Sequence, residues 1–174
     1  MQDCIFCKII RKEIPASLVY EDESVLGFLD INPLTEGHTL VIPKNHATNI
    51  FDIPADDLKH ITTVAQQISN KMKESINAEG VDLVQASGEA ADQTVPHFHM
   101  HVIPRKSDDK LDLRQWWVSR VQQADPAKLK EIAEKLKTEK IEETPKPVEK
   151  VEEPKPKERS KEEVEWVRRE LGLA

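Results

Sequence analysis

Apolar and polar positions along the chain repeat with two different periods. The first block, CIFCKIIRKE from Cys4 to Glu13, reads as a short helix broken by Pro15, because proline lacks the N–H a helix needs and clashes with the turn before it. SLVYED and SVLGFLDI follow as two strands with acidic turn residues between them, the pattern of a hairpin. NPLTEG is a loop and HTLVIP a third strand. From about Pro54 to Asn77 the period lengthens. Leu58, Ile61, Ala65, Ile68, Met72 and Ile76 recur at steps of three and four, which predicts the longest amphipathic helix, with Gly80 as its stop. VDLVQAS and HFHMHVIP are two more strands. Few strands are joined by helices and the spacing is hairpin-like, so the expected class is α+β with an antiparallel sheet.

Beyond this block, DPAKLKEIAEKLK predicts a helix with Asp125 as N-cap and Pro126 at its first position. From Glu139 to Ser160 the chain is almost entirely Lys, Glu and Pro, too polar to offset its ordering entropy, and reads as an extended linker. SKEEVEWVRRELGL then opens with a capping box, Ser160 and Glu163, and closes at Gly172. Val164, Val167 and Leu171 share one face, with Trp166 alongside. A helix this short is marginal alone in water, so it is expected to dock onto the body, a second subunit or a partner protein.

Composition narrows the function class. In 174 residues no apolar run approaches the ~20 residues of a membrane helix. The opening MQDCIFCKIIRKE is charged and lacks a small-residue cleavage site, so no secretory signal is expected. Cys4 and Cys7 are the only cysteines, which points away from a disulfide framework and towards the cytoplasm. The net charge of −7 argues against a protein that coats nucleic acid, yet leaves room for a local phosphate site.

The chemistry concentrates in PHFHMHV. His97, His99 and His101 alternate with Phe98, Met100 and Val102, so on a strand the three imidazoles share one face and the apolar residues the other. Imidazole is a common zinc ligand and also a nucleophile towards phosphorus. Solvent-facing histidines on an edge strand are the bland alternative. Cys4-Ile5-Phe6-Cys7 is a C-x-x-C knuckle that nothing precedes as a strand, unlike redox motifs of this spacing. With two histidines it would complete a tetrahedral zinc site; two ordinary buried cysteines remain the alternative. His60, mid-helix among polar neighbours, reads as solvated surface.

HFHMHV, together with CIFCKIIRKEIPAS, FLDINPLTEGHTLVIPKNH and GEAADQTVPHFHMHVIPR, resembles the histidine triad (HIT) superfamily, most closely its nucleotide-binding and hydrolase branch. The resemblance runs from about Cys4 to Arg105 and implies a HIT-like fold: about five antiparallel strands, one long helix and a short N-terminal helix. It implies that His99 is the nucleophile towards the α-phosphorus of a nucleotide, with His101 and His38 as its supporting pair. Asp30 matches the carboxylate for the ribose hydroxyls, Ile31 the residue packing on the nucleoside, Thr94 a hydroxyl to the α-phosphate, and Gln93 a residue of the same loop. Cys4, Cys7, His46 and His97 match the ligands of a structural zinc. Departures are Ala86 and Ser87, where the family carries Asn, and Asp92, where it carries Gly.

The expected organisation is a HIT domain over 1–107, a helical extension over 108–141, a Lys/Glu/Pro-rich linker over 142–159 and a terminal amphipathic helix over 160–174. The expected function is hydrolysis or transfer of a nucleoside monophosphate from a phosphoramidate or dinucleoside polyphosphate, through a nucleotidyl-histidine. The alternative is a zinc-stabilised nucleotide-binding module with weak catalysis, acting through its C-terminal tail. The implied partners are a purine nucleotide, a second copy in a homodimer to which Trp116 and Trp117 are candidate contributors, and a protein that takes the C-terminal helix.

Overall fold

The computed structural model describes residues 4–112, 119 and 124–138. The chain divides into two compact units, 1–121 and 122–174. In the first, the order is α1 (Ile5–Ile10), β1 (Leu18–Glu21), β2 (Val25–Leu29), β3 (Thr39–Pro43), α2 (Ala55–Ser75), β4 (Gly80–Val84) and β5 (Met100–Arg105), with a 3-10 turn at Glu89–Ala91. The strands form one antiparallel sheet in the order β1-β2-β3-β5-β4, the five-strand α+β arrangement expected. In the second unit, α3 (Pro126–Lys135) starts as predicted, with the Asp125 carboxylate accepting from the Ala127 N–H at 2.8 Å; none of its residues is buried. The tryptophan pair, the linker and the terminal helix lie outside the described residues.

Helix α2 covers one face of the sheet. Ile61, Val64, Ala65, Ile68 and Met72 form its buried stripe and pack with Val25, Val41, Phe98 and Val102. Gly27 on β2 lets it come close: a Cβ there would stand 3.2 Å from Ile68 Cδ1 and 3.1 Å from Tyr20 Cβ. On the opposite face α1 covers a smaller core of Phe6, Leu26, Phe28, Leu40 and Ile42. The rest of that face carries the histidines.

Three element boundaries differ from the pattern reading. Helix α1 is only Ile5–Ile10, since Lys12 takes a left-handed φ of 62° and turns the chain before Pro15 is reached. Helix α2 ends at Ser75, and the left-handed residue that turns the chain is Asn77 (φ 55°); Gly80 instead opens β4. Strand β5 begins at Met100, so His97 and His99 lie in the segment that leads into it, His97 in a bend. The alternation survives this, because Phe98 and Val102 are buried against α2 with Met100 beside them.

Candidate functional site

Cys4 and Cys7, at the mouth and first turn of α1, meet His46 and His97 from two other segments, with all four potential ligand atoms within 4.8 Å of one another. Cys4 Sγ lies 3.5 Å and Cys7 Sγ 3.6 Å from His97 Nδ1; Cys7 Sγ lies 3.3 Å from His46 Nδ1, and the two Nδ1 atoms are 3.2 Å apart. A tetrahedral zinc with ordinary Zn–S and Zn–N lengths requires about 3.3 Å between nitrogens and about 3.6 Å between nitrogen and sulfur. The donor set fits that geometry. His97 is oriented for it: a carbonyl can only accept, so Nε2–H donates to Pro43 O at 2.9 Å and the lone pair rests on Nδ1. Burial lowers the His97 pKa to about 4, with the nearby His46 and His99 adding to it, so the ring is neutral as a ligand must be. Burial and the neighbouring Cys4 raise the Cys7 thiol.

His99, buried like His97, is held differently. Its Nδ1 lies 2.7 Å from the carbonyl oxygen of His97 and therefore carries the proton, which leaves the Nε2 lone pair uncommitted. The His101 ring stands 5.1 Å away at a steep angle. A second chain of hydrogen bonds fixes its tautomer. The Leu34 N–H donates to His38 Nδ1 at 3.2 Å, so His38 carries its proton on Nε2 and donates to His101 Nδ1 at 2.9 Å. His101 is then protonated on Nε2. Burial lowers both members of this pair: His38, with Asp30 opposing the shift, and His101, to about 4, with His99 and His38 adding to it. Both are neutral at pH 7. Gly37 (φ 90°) provides the sharp entry to His38, and any Cβ there would stand 2.8 Å from Ile76 Cδ1.

Asp30 joins this pair, with Oδ2 3.8 Å from His38 Nδ1 while Oδ1 accepts from the Asn32 N–H at 2.8 Å. Ile31, next to it, is 87 % exposed. Thr94 is exposed, and its hydroxyl makes no hydrogen bond among the described residues. Gln93 behaves unlike its expected neighbour role. Its amide clasps the loop: Oε1 accepts from the Gly88 N–H at 2.7 Å, and Nε2 donates to Thr48 O at 2.6 Å and Val95 O at 2.9 Å. Asp92 stands exposed at a φ of 60°.

Two features escaped the sequence reading. His60 is half-buried rather than solvated, its Nε2 2.6 Å from Asp22 Oδ2, which also accepts from the Tyr20 hydroxyl at 2.7 Å. Phe6 packs edge-on against both His97 and His99. Its place between the two cysteines was the available signal.

Residues 11–108 match the family model of the HIT domain. The chain is 50 % identical over 118 residues to a HIT-like protein of Borreliella burgdorferi, covering 66 % of this chain and 84 % of that one. It is 39 % identical over 140 residues to an adenosine 5'-monophosphoramidase of Candida albicans, covering 78 % and 90 %. Among solved structures, a Zn-bound histidine triad family protein from Mycobacterium smegmatis superposes with a TM-score of 0.62 at 43 % identity, over 64 % of this chain and 81 % of that one.

Proposed function

This chain belongs to the HIT domain family, and we propose that within it the protein is a hydrolase of nucleoside phosphoramidates acting through a nucleotidyl-His99 intermediate. The observation that carries the reading is the forced tautomer of His99: Nδ1–H on a carbonyl and a free Nε2 lone pair. Nε2 attacks the α-phosphorus, the P–N bond to the leaving amine breaks, and the amine takes a proton from solvent. The imidazolium so formed keeps Nδ1–H on the His97 carbonyl, which stabilises its charge. His101, with Nε2–H outward and its other nitrogen held by His38, donates towards the phosphoryl oxygens as charge builds there. Water then attacks phosphorus and gives up a proton to solvent, the His99–P bond breaks with its electron pair returning to Nε2, and the nucleoside monophosphate leaves. Asp30 Oδ2 receives the ribose hydroxyls, Ile31 covers the base and Thr94 meets the α-phosphate; Gln93 serves by holding the loop that presents Thr94.

The likeness to an adenosine 5'-monophosphoramidase supports an adenosine phosphoramidate as the substrate to try first. We assign zinc to Cys4, Cys7, His46 and His97, where it would supply a fixed tetrahedral anchor and no bond-making. The chemistry needs no metal at His99, whose lone pair must stay free. The test is hydrolysis of adenosine 5'-phosphoramidate. His99→Ala loses at least ~10³-fold in kcat, and His101→Ala a smaller factor. Equal turnover by wild type and His99→Ala would sink the reading. A wild type that binds the nucleotide and barely turns it over would favour the binding-module alternative, towards which the exposed Asp92 carboxylate on the loop points.

A further inference from the structure

Phe6 stands between the two cysteines of the knuckle with its side chain buried. Its ring meets three others at steep angles: Phe28 at 5.7 Å, His97 at 5.8 Å and His99 at 5.4 Å between centroids. One side chain thus touches a candidate metal ligand and the candidate nucleophile together. His97 reaches His99 by a second route, since its carbonyl takes the His99 Nδ1–H at 2.7 Å while its own ring is tethered to Pro43 O at 2.9 Å.

Helix α1 cannot hold itself. It has six residues and no side-chain cap, far below the length at which a helix persists in water. Its place is set by Phe6 packing among Leu26, Phe28, Leu40 and Ile42, and by Cys4 and Cys7 in the knuckle. An imidazole rotates readily about its last side-chain bond, and a hydrogen bond to a carbonyl fades once the N–H leaves its line. A flat ring packed against His99 removes that rotation.

We propose that Phe6 is a positioning residue for nucleotidyl transfer, carrying the order of the Cys4/Cys7/His46/His97 knuckle to His99. It keeps Nδ1–H on the His97 carbonyl and the Nε2 lone pair aimed outward. The proposal rests on the reading of His99 as nucleophile given above, but its test does not depend on turnover alone.

Full-length wild type, Phe6→Ala and Phe6→Leu are compared for zinc per chain, thermal midpoint, kcat and KM on adenosine 5'-phosphoramidate, and the side-chain 15N spectrum of His99 at one neutral pH. Phe6→Ala keeps its zinc, loses about 10- to 100-fold in kcat with KM within about twofold, and shows the His99 Nδ1–H resonance dispersed into exchanging tautomers. Phe6→Leu, which keeps apolar volume without a flat ring, falls between, and it carries the test if Phe6→Ala does not fold. An unchanged kcat and an unchanged His99 spectrum overturn the proposal, as does a loss confined to thermal midpoint and zinc content. Should wild type hydrolyse nothing, the nucleophile reading falls by itself. The His99 spectrum then decides the positioning role alone: dispersal in Phe6→Ala upholds it and an unchanged spectrum ends it.

Discussion

Asp92 sits at a φ of 60° on the exposed loop that leads into the histidine run. A left-handed conformation costs a side-chain-bearing residue roughly 1 kcal/mol, less for Asp than for most, and the carboxylate adds a negative charge on the approach of a phosphate. The two effects separate by substitution. Asp92→Asn keeps the backbone tolerance and removes the charge, so it raises kcat/KM several-fold at low ionic strength and by less at high salt. Asp92→Gly does the same and also raises the thermal midpoint, by the equivalent of about 0.5 kcal/mol. Identical kinetics in all three proteins would show that the carboxylate points away from the substrate. The His38–His101 pair, His38 buried and His101 half-buried, makes a pH prediction. Its folded pKa values lie below the ordinary histidine value of 6.5, so the unfolded chain binds protons first as pH falls. The stability of this pair is therefore whole above pH 6.5 and declines as pH drops from there towards about 4, where His101 itself protonates. Denaturant titrations across that range should show a shallower decline in His101→Gln than in wild type; parallel curves would contradict the assignment.

At the scale of elements, α2 was legible because its apolar residues are spaced for one face: Ile61, Ala65, Ile68 and Met72 are buried where the period put them. The strands were legible as short apolar runs bounded by turn residues, two of them, β2 and β3, buried almost throughout, although β4 stops at Val84 and β5 starts only at Met100. Position within an element was harder to read. Gly80 looked like a helix stop, yet Asn77 does that work, because asparagine also tolerates the left-handed turn. Gln93 and His60 depend on partners from distant segments, Thr48 and Asp22, which no local pattern reveals. The convergence of Cys4 and Cys7 with His46 and His97 spans about ninety residues of chain, and only the family resemblance made it visible in advance. Helix α1 gives the test at this scale. Stripping metal with a chelator should raise amide hydrogen exchange in Phe6–Ile10 while leaving the α2 amides at Val64–Met72 protected. Exchange in α1 that ignores the chelator would mean that Phe6 burial alone holds it.

For the molecule as a whole, β4 forms one edge of the sheet, and Leu83 and Val84 on it are exposed. A groove lined by Leu58, Thr62, Gln66, Ser69, Val81 and Leu83 runs between this edge and α2. An edge strand offers unpaired N–H and C=O groups, and an apolar groove beside it suits a second copy of the same surface. The homodimer implied by the family resemblance would use this face. Sedimentation equilibrium should return the mass of two chains, and Leu83→Asp the mass of one; a monomeric wild type would contradict a homodimer built on this face. The histidines are proposed to divide their labour, with His97 at the metal, His99 at phosphorus and His101 in support. The most direct measurement of this division is intact and peptide mass spectrometry after rapid acid-free quenching of the protein with adenosine 5'-phosphoramidate. An adenylyl increment is expected that maps to His99, persists longer in variants slowed at water attack and is absent from His99→Ala. An increment on His97 or His101, or hydrolysis with no increment on any histidine, would contradict this division.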